Sequence, residues 1–203
     1  MRLMIVRHGQ SQANVAHLLQ GQSQGTLTAI GRAQAERLSQ SLSQTPFDLI
    51  LSSDLARAQE TARIIARATG VPLELTTALR EWHVGELDGQ PQAILKQVLA
   101  GASLPELDFK PAGGESLREL WQRAAAFLSQ LVERYPEKTV LLCSHGDFIR
   151  MLLGHLLGQE IEEAVKRKLD NTALTILEDD GQGHWVLETV NNTDHLRREP
   201  PLG

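Results

Sequence analysis

Three consecutive residues near the start of the chain, Arg7, His8 and Gly9, are of types that can handle a phosphate group. An arginine offers a planar fork of donors that fits phosphate oxygens. A histidine that is neutral near physiological pH can act as a nucleophile or as a base. We expect Gly9 to let the backbone turn sharply and a ligand approach closely. Together these residue types predict chemistry on an anion.

The same residue types recur towards the other end of the chain, at His145 and Gly146. Apolar residues at helical spacing follow them, so His145 is expected at the start of a helix. The free N–H groups and the partial positive charge of a helix N-terminus suit an anion. Gly146 is therefore counted among the candidate phosphate-binding residues.

Each histidine follows a short apolar segment that is typical of a buried strand. Residues 3–6 precede Arg7, and residues 139–143 precede Ser144. Strands of a parallel sheet read as continuous apolar runs, and ligands bind outside their carboxyl ends. The two histidines are therefore expected at the same edge of a parallel sheet.

The rest of the sequence alternates helical and strand patterns. A helix is expected over residues 28–42, capped by Thr28. Its apolar face is expected to comprise Ile30, Ala33, Leu38 and Leu42. The following helix is expected to be capped by Ser53 or Asp54 and to end at Gly70. Further strands are expected at 49–51 and 71–75 and in a hairpin of 172–177 and 184–190, and further helices at 91–100, 115–135 and 146–157.

This alternation predicts an α/β fold. We expect three layers, α/β/α, with a mainly parallel sheet that has an antiparallel edge. One domain is expected to span residues 1–203. Residues 79–90 and 101–114 are expected to be irregular, and the polar tail from Asn191 is expected to be loose.

Composition and charge restrict the class of protein. Hydrophobic residues make up 41% of the chain and charged residues 22%, which is an ordinary globular mixture. The net charge of −5 argues against a broad basic surface for nucleic acid. We expect no membrane partner, no signal peptide and a cytoplasmic location, since no apolar stretch is long enough to span a bilayer. The single cysteine, Cys143, is expected to be inert core.

Six polar residues whose side chains could form one site lie at predicted strand ends and helix starts: Arg7, His8, Asn14, Arg57, Glu81 and His145. A phosphate monoester fits this set best, because its dianion needs several donors and its transfer can use a histidine nitrogen. The arginines supply positive charge, and the sequence has no dense Asp/Glu/His cluster to hold a metal. Neither a metal nor another cofactor is therefore expected.

The segments that carry these residues resemble motifs of the histidine phosphatase superfamily, which includes the cofactor-dependent phosphoglycerate mutases. The resemblance extends over nearly the whole chain and implies a phosphoglycerate mutase-like fold. One departure is Gln10, which stands where many members have glutamate. The matching segments are residues 7–11 with Asn14, 27–31 with Gln34 and Ala35, 52–62, 79–81 with Gly85 and Gly89, 113–116, and 144–146.

The resemblance implies a role for each candidate residue. His8 is implied to be the nucleophile that becomes phosphohistidine. Glu81 is implied to donate a proton to the leaving alkoxide and then to act as the base for water. The residues implied to hold the phosphoryl oxygens are Arg7, Asn14, Arg57 and His145. Gln20 and Gly21 are placed at the rim of the pocket.

Three functions are open at this point. The first is a phosphomonoesterase, which the sequence favours; the second is a mutase that returns the phosphoryl group to its substrate; the third is a phosphate-binding module without activity. A mutase must exclude water, so it needs a lid, and mutases of this family tend to carry Glu-Arg-x-Tyr-Gly at the acid loop. Here residues 81–85 read Glu-Trp-His-Val-Gly. The expected partner is a small phosphomonoester, and a homodimer stays open.

The substrate pocket is expected to take its wall from irregular parts of the chain. These are residues 20–27 and 101–114, together with Trp82 and His83. Trp82 reads equally as a substrate wall or as a core aromatic. His83 reads as an incidental loop residue. Sugar phosphates, phosphoglycerate and nucleotide-derived esters all remain open as substrates.

Overall fold

The sheet holds six strands and places four of them in parallel. A computed structural model describes residues 1–102 and 104–197 of the chain. The strands are β1 (Arg2–Arg7), β2 (Leu49–Ser53), β3 (Leu73–Thr76), β4 (Thr139–Ser144), β5 (Leu174–Asp179) and β6 (Trp185–Asn192). Their order is β3-β2-β4-β1-β5-β6. The first four are parallel, and β5 and β6 form an antiparallel edge, as the sequence predicted.

Helices cover both faces of this sheet. They are α1 (Gln12–Val15), α2 (Ala29–Leu42), α3 (Ala56–Thr69), α4 (Gln92–Gly101), α5 (Leu117–Arg134), α6 (Gly146–Leu156) and α7 (Ile161–Ala164). Short 3₁₀ helices lie at Thr77–Leu79, Gly85–Leu87 and Asp194–Leu196. Within the described ranges, no helix is both long and apolar enough to cross a membrane.

The central strand β1 is buried on both faces, which explains its uninterrupted apolar sequence. Leu3 and Ile5 join the core that packs under α5 and α6. Met4 and Val6 face the opposite way, into the core under α2 and α3. All four side chains are at most 1% exposed. The strand therefore anchors both layers and holds its carboxyl end in a fixed position.

The apolar face of α2 differs from the prediction. Thr28 caps the helix as expected, because its hydroxyl accepts from the Gly31 N–H at 2.9 Å. Ile30 is 60% exposed, however, and Ala33 is exposed as well. The buried positions are Gly31, Ala35, Leu38, Ser39 and Leu42. With 3.6 residues per turn, a face centred on Leu38 includes small residues and leaves the two predicted positions outside it.

The predicted cap of α3 is also wrong, whereas its predicted end at Gly70 is confirmed. The cap position is Leu55, and it makes no side-chain cap hydrogen bond. Ser53 is the last residue of β2, and Asp54 pairs with Arg80 at 2.5 Å instead of capping the helix. Gly70 ends the helix with φ of 72°, a conformation that favours glycine.

The C-terminal segment is ordered up to the end of the described residues, contrary to the expectation of a loose tail. Asn191 belongs to β6, and a 3₁₀ helix at Asp194–Leu196 follows. His195 is only 7% exposed, and its Nε2 lies 3.0 Å from the Thr172 hydroxyl. Arg37 of α2 donates to the carbonyl of Leu196 at 3.0 Å. Residues 198–203 lie outside the described part of the chain.

Candidate active site

The carboxyl ends of β1 and β4 bring the two predicted histidines together. These strands are neighbours, and Arg7 pairs in register with Ser144. The His8 N–H donates to the Ser144 carbonyl at 2.9 Å. As a result, the rings of His8 and His145 lie 5.2 Å apart, centroid to centroid, with 58° between their planes. Both rings are buried.

His8 is held as a neutral imidazole with a defined tautomer. Its Nδ1 lies 2.7 Å from the Gly9 carbonyl oxygen, which can only accept a hydrogen bond. The ring proton is therefore on Nδ1, and Nε2 carries a free lone pair. Burial, followed by the charges of Arg57 and Arg7, holds the pKa of His8 well below its usual value. A neutral ring with a free Nε2 is suited to nucleophilic attack.

Gly9 does not adopt the left-handed conformation. A side chain there would collide with the backbone of Gly31 at the start of α2. The glycine therefore permits close packing between the loop after β1 and this helix.

His145 is hydrogen-bonded through Nε2, whereas His8 is hydrogen-bonded through Nδ1. The Nε2 of His145 lies 2.8 Å from the Ser53 hydroxyl oxygen. That hydroxyl accepts from the Leu55 N–H at 3.3 Å, and we assign its own proton to a hydrogen bond with His145 Nε2. The imidazole proton then lies on Nδ1, which is buried and has no partner among the described residues. Burial, and next the charge of Arg57, lowers the pKa of His145 well below its usual value.

Two buried arginines supply further donors without partners. Arg7 donates through Nη1 to the Leu169 carbonyl at 2.6 Å. Arg57 donates to the carbonyls of Ser23 at 2.9 Å and Gly21 at 2.8 Å. The Nε of each arginine is buried with no partner in the described part of the chain. Burial lowers the pKa of both; that of Arg57 falls to about 10, so Arg57 stays charged at neutral pH.

Glu81 lies at the N-terminus of α6, facing the same site. It is 8% exposed, and its Oε1 accepts from the N–H groups of Trp82 at 3.0 Å, Asp147 at 3.0 Å and Phe148 at 3.1 Å. Its Oε2 receives only a longer bond, 3.3 Å, from Asp147. Burial, followed by the nearby Asp147 carboxylate, raises the pKa of Glu81 above its usual value. Because Oε1 is occupied by donors, the proton of the acid form belongs on Oε2.

Gly146 leaves open the space between Glu81 and Arg7. An added Cβ at this position would lie 3.8 Å from Glu81 Oε2 and 3.7 Å from Arg7 Nε. The glycine is the first residue of α6 and lines the cavity. A ligand atom can therefore reach the acid and the arginine at the same time.

The remaining predicted residues hold the loop around His8. Asn14 lines the cavity, and its Oδ1 accepts from the Ser11 N–H at 3.0 Å. Gln20 also lines it, and its Oε1 accepts from the Ser11 hydroxyl at 2.7 Å. Gly21 is buried behind the wall, where a side chain would collide with Val84. Arg57 and His145 likewise lie behind the lining residues and not among them.

Six of the predicted site residues line a cavity of about 490 Å³: Arg7, His8, Asn14, Gln20, Glu81 and Gly146. The predicted wall is correct for Gln20, Trp82 and Glu106, which all line it. Trp82 is both wall and core, since it is 5% exposed and its Nε1 donates to the Glu115 carbonyl at 2.7 Å. Residues 21–27 do not line the cavity. His83 does not either: its Nδ1 accepts from the Gly85 N–H at 3.2 Å.

Several residues at the site were not found by sequence reasoning. Asn171 donates to the His8 carbonyl at 2.9 Å and to Asn14 Oδ1 at 3.2 Å. The Thr172 N–H donates to the Arg7 carbonyl at 2.9 Å, and Thr172 adopts the left-handed region with φ of 55°. That conformation is costly for a β-branched residue, so the surrounding contacts must enforce it. Asp147 and Arg150, which pair with each other, and α4 also line the cavity.

Two further side chains with possible chemistry have structural surroundings. Gln10, at the position where related proteins often have glutamate, accepts from the Thr28 hydroxyl at 2.9 Å and so points to the cap of α2. Cys143 is fully buried, and burial raises the pKa of its thiol to about 12. Across residues 1–102 and 104–197, no group of three or more His, Cys, Asp or Glu side chains is arranged to hold a metal ion.

A family model decides the membership of this chain. The model of the histidine phosphatase superfamily (branch 1) matches residues 3–193. The chain belongs to this superfamily. The match takes in both strand-end histidines, both buried arginines and Glu81, so the residues that surround the cavity all lie within the family region.

Proteins similar to this chain carry both phosphatase and mutase names. A probable phosphoglycerate mutase GpmB from Yersinia pestis is 34% identical, over 97% of this chain and 95% of the relative. A mycobacterial glucosyl-3-phosphoglycerate phosphatase, solved with VO3, is 32% identical with a TM-score of 0.82, over 94% of this chain and 98% of that one. A putative alpha-ribazole-5'-P phosphatase from Escherichia coli has a TM-score of 0.85 at 28% identity, over 95% and 97% of the two chains.

Proposed function

We propose that this protein hydrolyses phosphate monoesters through a phosphohistidine formed on His8. One observation carries the proposal. Five buried side-chain nitrogens have no partner among the described residues, and three of them, Arg7 Nε, Arg57 Nε and His145 Nδ1, belong to side chains around a neutral His8. Buried donors are rarely left unpaired in folded proteins, so their concentration here indicates an anionic ligand.

The first chemical step transfers the phosphoryl group to His8. The lone pair on Nε2 attacks phosphorus, a P–N bond forms, and the bond from phosphorus to the ester oxygen breaks. The proton on Glu81 Oε2 passes to that oxygen, which leaves as an alcohol. The two arginines and His145 stabilise the charge on the equatorial oxygens, where it is concentrated in the transition state.

The second step returns the enzyme to its starting state. Glu81, now a carboxylate, takes a proton from water as the water oxygen attacks phosphorus. The P–N bond breaks, inorganic phosphate leaves, and His8 Nε2 recovers its lone pair. The raised pKa of Glu81 supports both roles, because the group must hold a proton in one step and accept one in the next.

A mutase is the second candidate, and the 34% identity to a probable phosphoglycerate mutase is what favours it. A mutase must keep water from the phosphohistidine. In the described part of the tail, Leu196 is bound to Arg37 of α2, which packs against the face of the sheet opposite to α5 and α6. This tail segment therefore does not cover the cavity. The phosphatase names of two structural neighbours also support hydrolysis.

Labelled 3-phosphoglycerate distinguishes the two reactions directly. A phosphatase releases inorganic phosphate as the first labelled product, at the same rate as substrate is lost. A mutase yields 2-phosphoglycerate with little free phosphate. Resolution of the three species by chromatography during the first turnovers decides between them, and a panel of other monoesters shows whether any hydrolysis exceeds that of 3-phosphoglycerate. Predominant formation of 2-phosphoglycerate would overturn the phosphatase assignment.

A further inference from the structure

Six apolar side chains contribute to the lining of the cavity, beside polar residues such as Gln20, Gln92 and Lys96. We define the outer wall as Leu18, Leu19, Val84, Leu95, Leu99 and Val165, all of which line the cavity. Val84 is buried, and the other five are partly buried. The polar side chains that carry out the chemistry, such as His8 and Glu81, are buried more deeply than these five. A substrate therefore meets apolar carbon immediately outside the phosphate site.

The charged groups near this wall offer few free partners to a polar substrate. Asp147 and Arg150 form an ion pair with each other, and Arg150 also donates to the Arg167 carbonyl at 2.7 Å. Lys96 and Glu106 are exposed, so they lie on the solvent side of the cavity. Hydroxyl or carboxylate groups placed against the outer wall would lose their hydration without gaining hydrogen bonds, which is unfavourable.

Helix α4 supplies Leu95 and Leu99 to this wall. Leu95 and Leu99 are four residues apart, which places them on the same face of the helix. No side chain of Gln92–Gly101, a range that is described throughout, is buried. Leu95 and Leu99 therefore border the cavity, and Leu95 also packs against the core under α5 and α6.

Leu18 and Leu19, on another part of the wall, belong to a segment that backbone hydrogen bonds join to the start of α4. The Leu19 N–H donates to the Gln90 carbonyl at 2.7 Å, and the Gly89 N–H donates back to Leu19 at 2.9 Å. The Gln92 N–H donates to the His17 carbonyl at 2.9 Å. These bonds connect the segment that carries Leu18 and Leu19 to the start of α4, which carries Leu95.

We propose that this protein prefers monoesters whose alcohol part is an apolar alkyl or aryl body, and that Leu95 and Leu99 determine this preference. The inference rests on the proposed phosphatase activity and adds a substrate class to it. The volume of about 490 Å³ lies in the range, about 300–1,000 Å³, that accommodates such a body together with the phosphoryl group. An apolar body releases water from the outer wall and gains close packing there.

A series of straight-chain alkyl phosphates, from ethyl to octyl and below micelle-forming concentrations, tests this proposal. We expect kcat/KM to rise by about fourfold for each methylene that the wall buries, until the cavity is filled. The ratio of kcat/KM for octyl over ethyl phosphate is the readout for variants. Leu95→Asn and Leu99→Asn should each lower this ratio by about tenfold or more, since a change of about one methylene in an apolar pocket alters discrimination by this order.

Ile94→Asn is the matched control, because Ile94 lies on the same helix but does not line the cavity. This variant should keep the wild-type ratio. A wild-type ratio near one, with turnover retained, would overturn the preference for apolar esters and leave the phosphatase assignment intact. An equal loss in all three variants would overturn the assignment of specificity to Leu95 and Leu99. If none of the alkyl esters, 3-phosphoglycerate and nitrophenyl phosphate is hydrolysed, the proposed function itself fails.

Discussion

The rings of His8 and His145 lie 5.2 Å apart, and the nitrogen that each ring uses for a hydrogen bond within the protein differs: it is Nδ1 in His8 and Nε2 in His145. In His8, the Gly9 carbonyl accepts from Nδ1 and so keeps the ring proton on Nδ1. In His145, the Ser53 hydroxyl donates to Nε2, so the ring proton lies on Nδ1. His8 thus presents a lone pair at Nε2 and His145 presents an N–H. Two neighbouring imidazoles, each followed by glycine, are therefore suited to different roles, one as nucleophile and one as donor.

The first prediction concerns Ser53, which we regard as a positioning residue for His145. Ser53→Ala removes the proton that selects the tautomer, so kcat should fall by about tenfold or more. The loss should stay below the roughly 10²–10³ expected for removal of an oxyanion donor itself. Single-turnover rates with a phosphomonoester measure this fall in activity. Ser53→Thr should keep most of the wild-type rate, because the hydroxyl is retained.

Ser52→Ala is the control for this experiment. Ser52 is buried in the same strand, but its hydroxyl donates to the Ser53 carbonyl and does not touch His145. A comparable fall in activity in both alanine variants, together with comparable losses of thermal stability, would mean that the effect comes from the strand and not from the tautomer.

The second prediction concerns the proton donor. An alkoxide leaves poorly without a proton, whereas a nitrophenolate leaves readily. Glu81→Gln should therefore lower hydrolysis of an alkyl monoester by roughly 10²–10⁴, the usual span for general acid catalysis, and hydrolysis of nitrophenyl phosphate by much less. Single-turnover kinetics with both esters provide the measurement.

Arg57→Ala is the reference for that comparison. Arg57 serves the phosphoryl group that both esters share, so its replacement should slow them to a similar extent. Equal losses for the two esters in Glu81→Gln would show that Glu81 binds or supports the site without donating the proton.

The third prediction follows from the lowered pKa values of His8 and His145. In the unfolded chain both would take up protons as pH falls below about 6.5, whereas the folded state resists this. Their contribution to the free energy of unfolding is therefore complete above pH 6.5 and is lost as pH falls towards the folded-state pKa values. The slope approaches about 1.4 kcal/mol per pH unit for each histidine.

Chemical denaturation between pH 7 and pH 5 measures this slope. His145→Asn should make this slope smaller, because the variant lacks one of the buried imidazoles that resist protonation in the folded state. An unchanged slope in His145→Asn would contradict the account of a buried neutral ring.

The positions of the two histidines could be predicted because they depend on local sequence. An apolar strand followed by a polar residue and glycine specifies a strand end, and parallel strands align these ends. The same local reasoning placed Thr28 at a helix cap and Gly70 at a helix end. These features need only a few consecutive residues to define them.

Other features of the fold and of the site could not be predicted, because they depend on contacts between segments that are distant in sequence. Ser53 reads locally as a cap, and only the pairing of β2 with β4 brings it to His145. Leu95 and Leu99 read as an ordinary amphipathic helix, and nothing near them in sequence indicates a cavity. Ile30 was misassigned because it is apolar, although the helical period turns it towards solvent.

The central claim is that His8 accepts the phosphoryl group, and trapping of the intermediate tests it most directly. A ³²P-labelled monoester is mixed with the protein, quenched within one turnover under alkaline conditions, and the label is mapped by peptide digestion. We predict one acid-labile label on the peptide that contains His8, and no label in a folded His8→Ala variant without turnover. Label on another residue, or full activity in His8→Ala, would contradict the account.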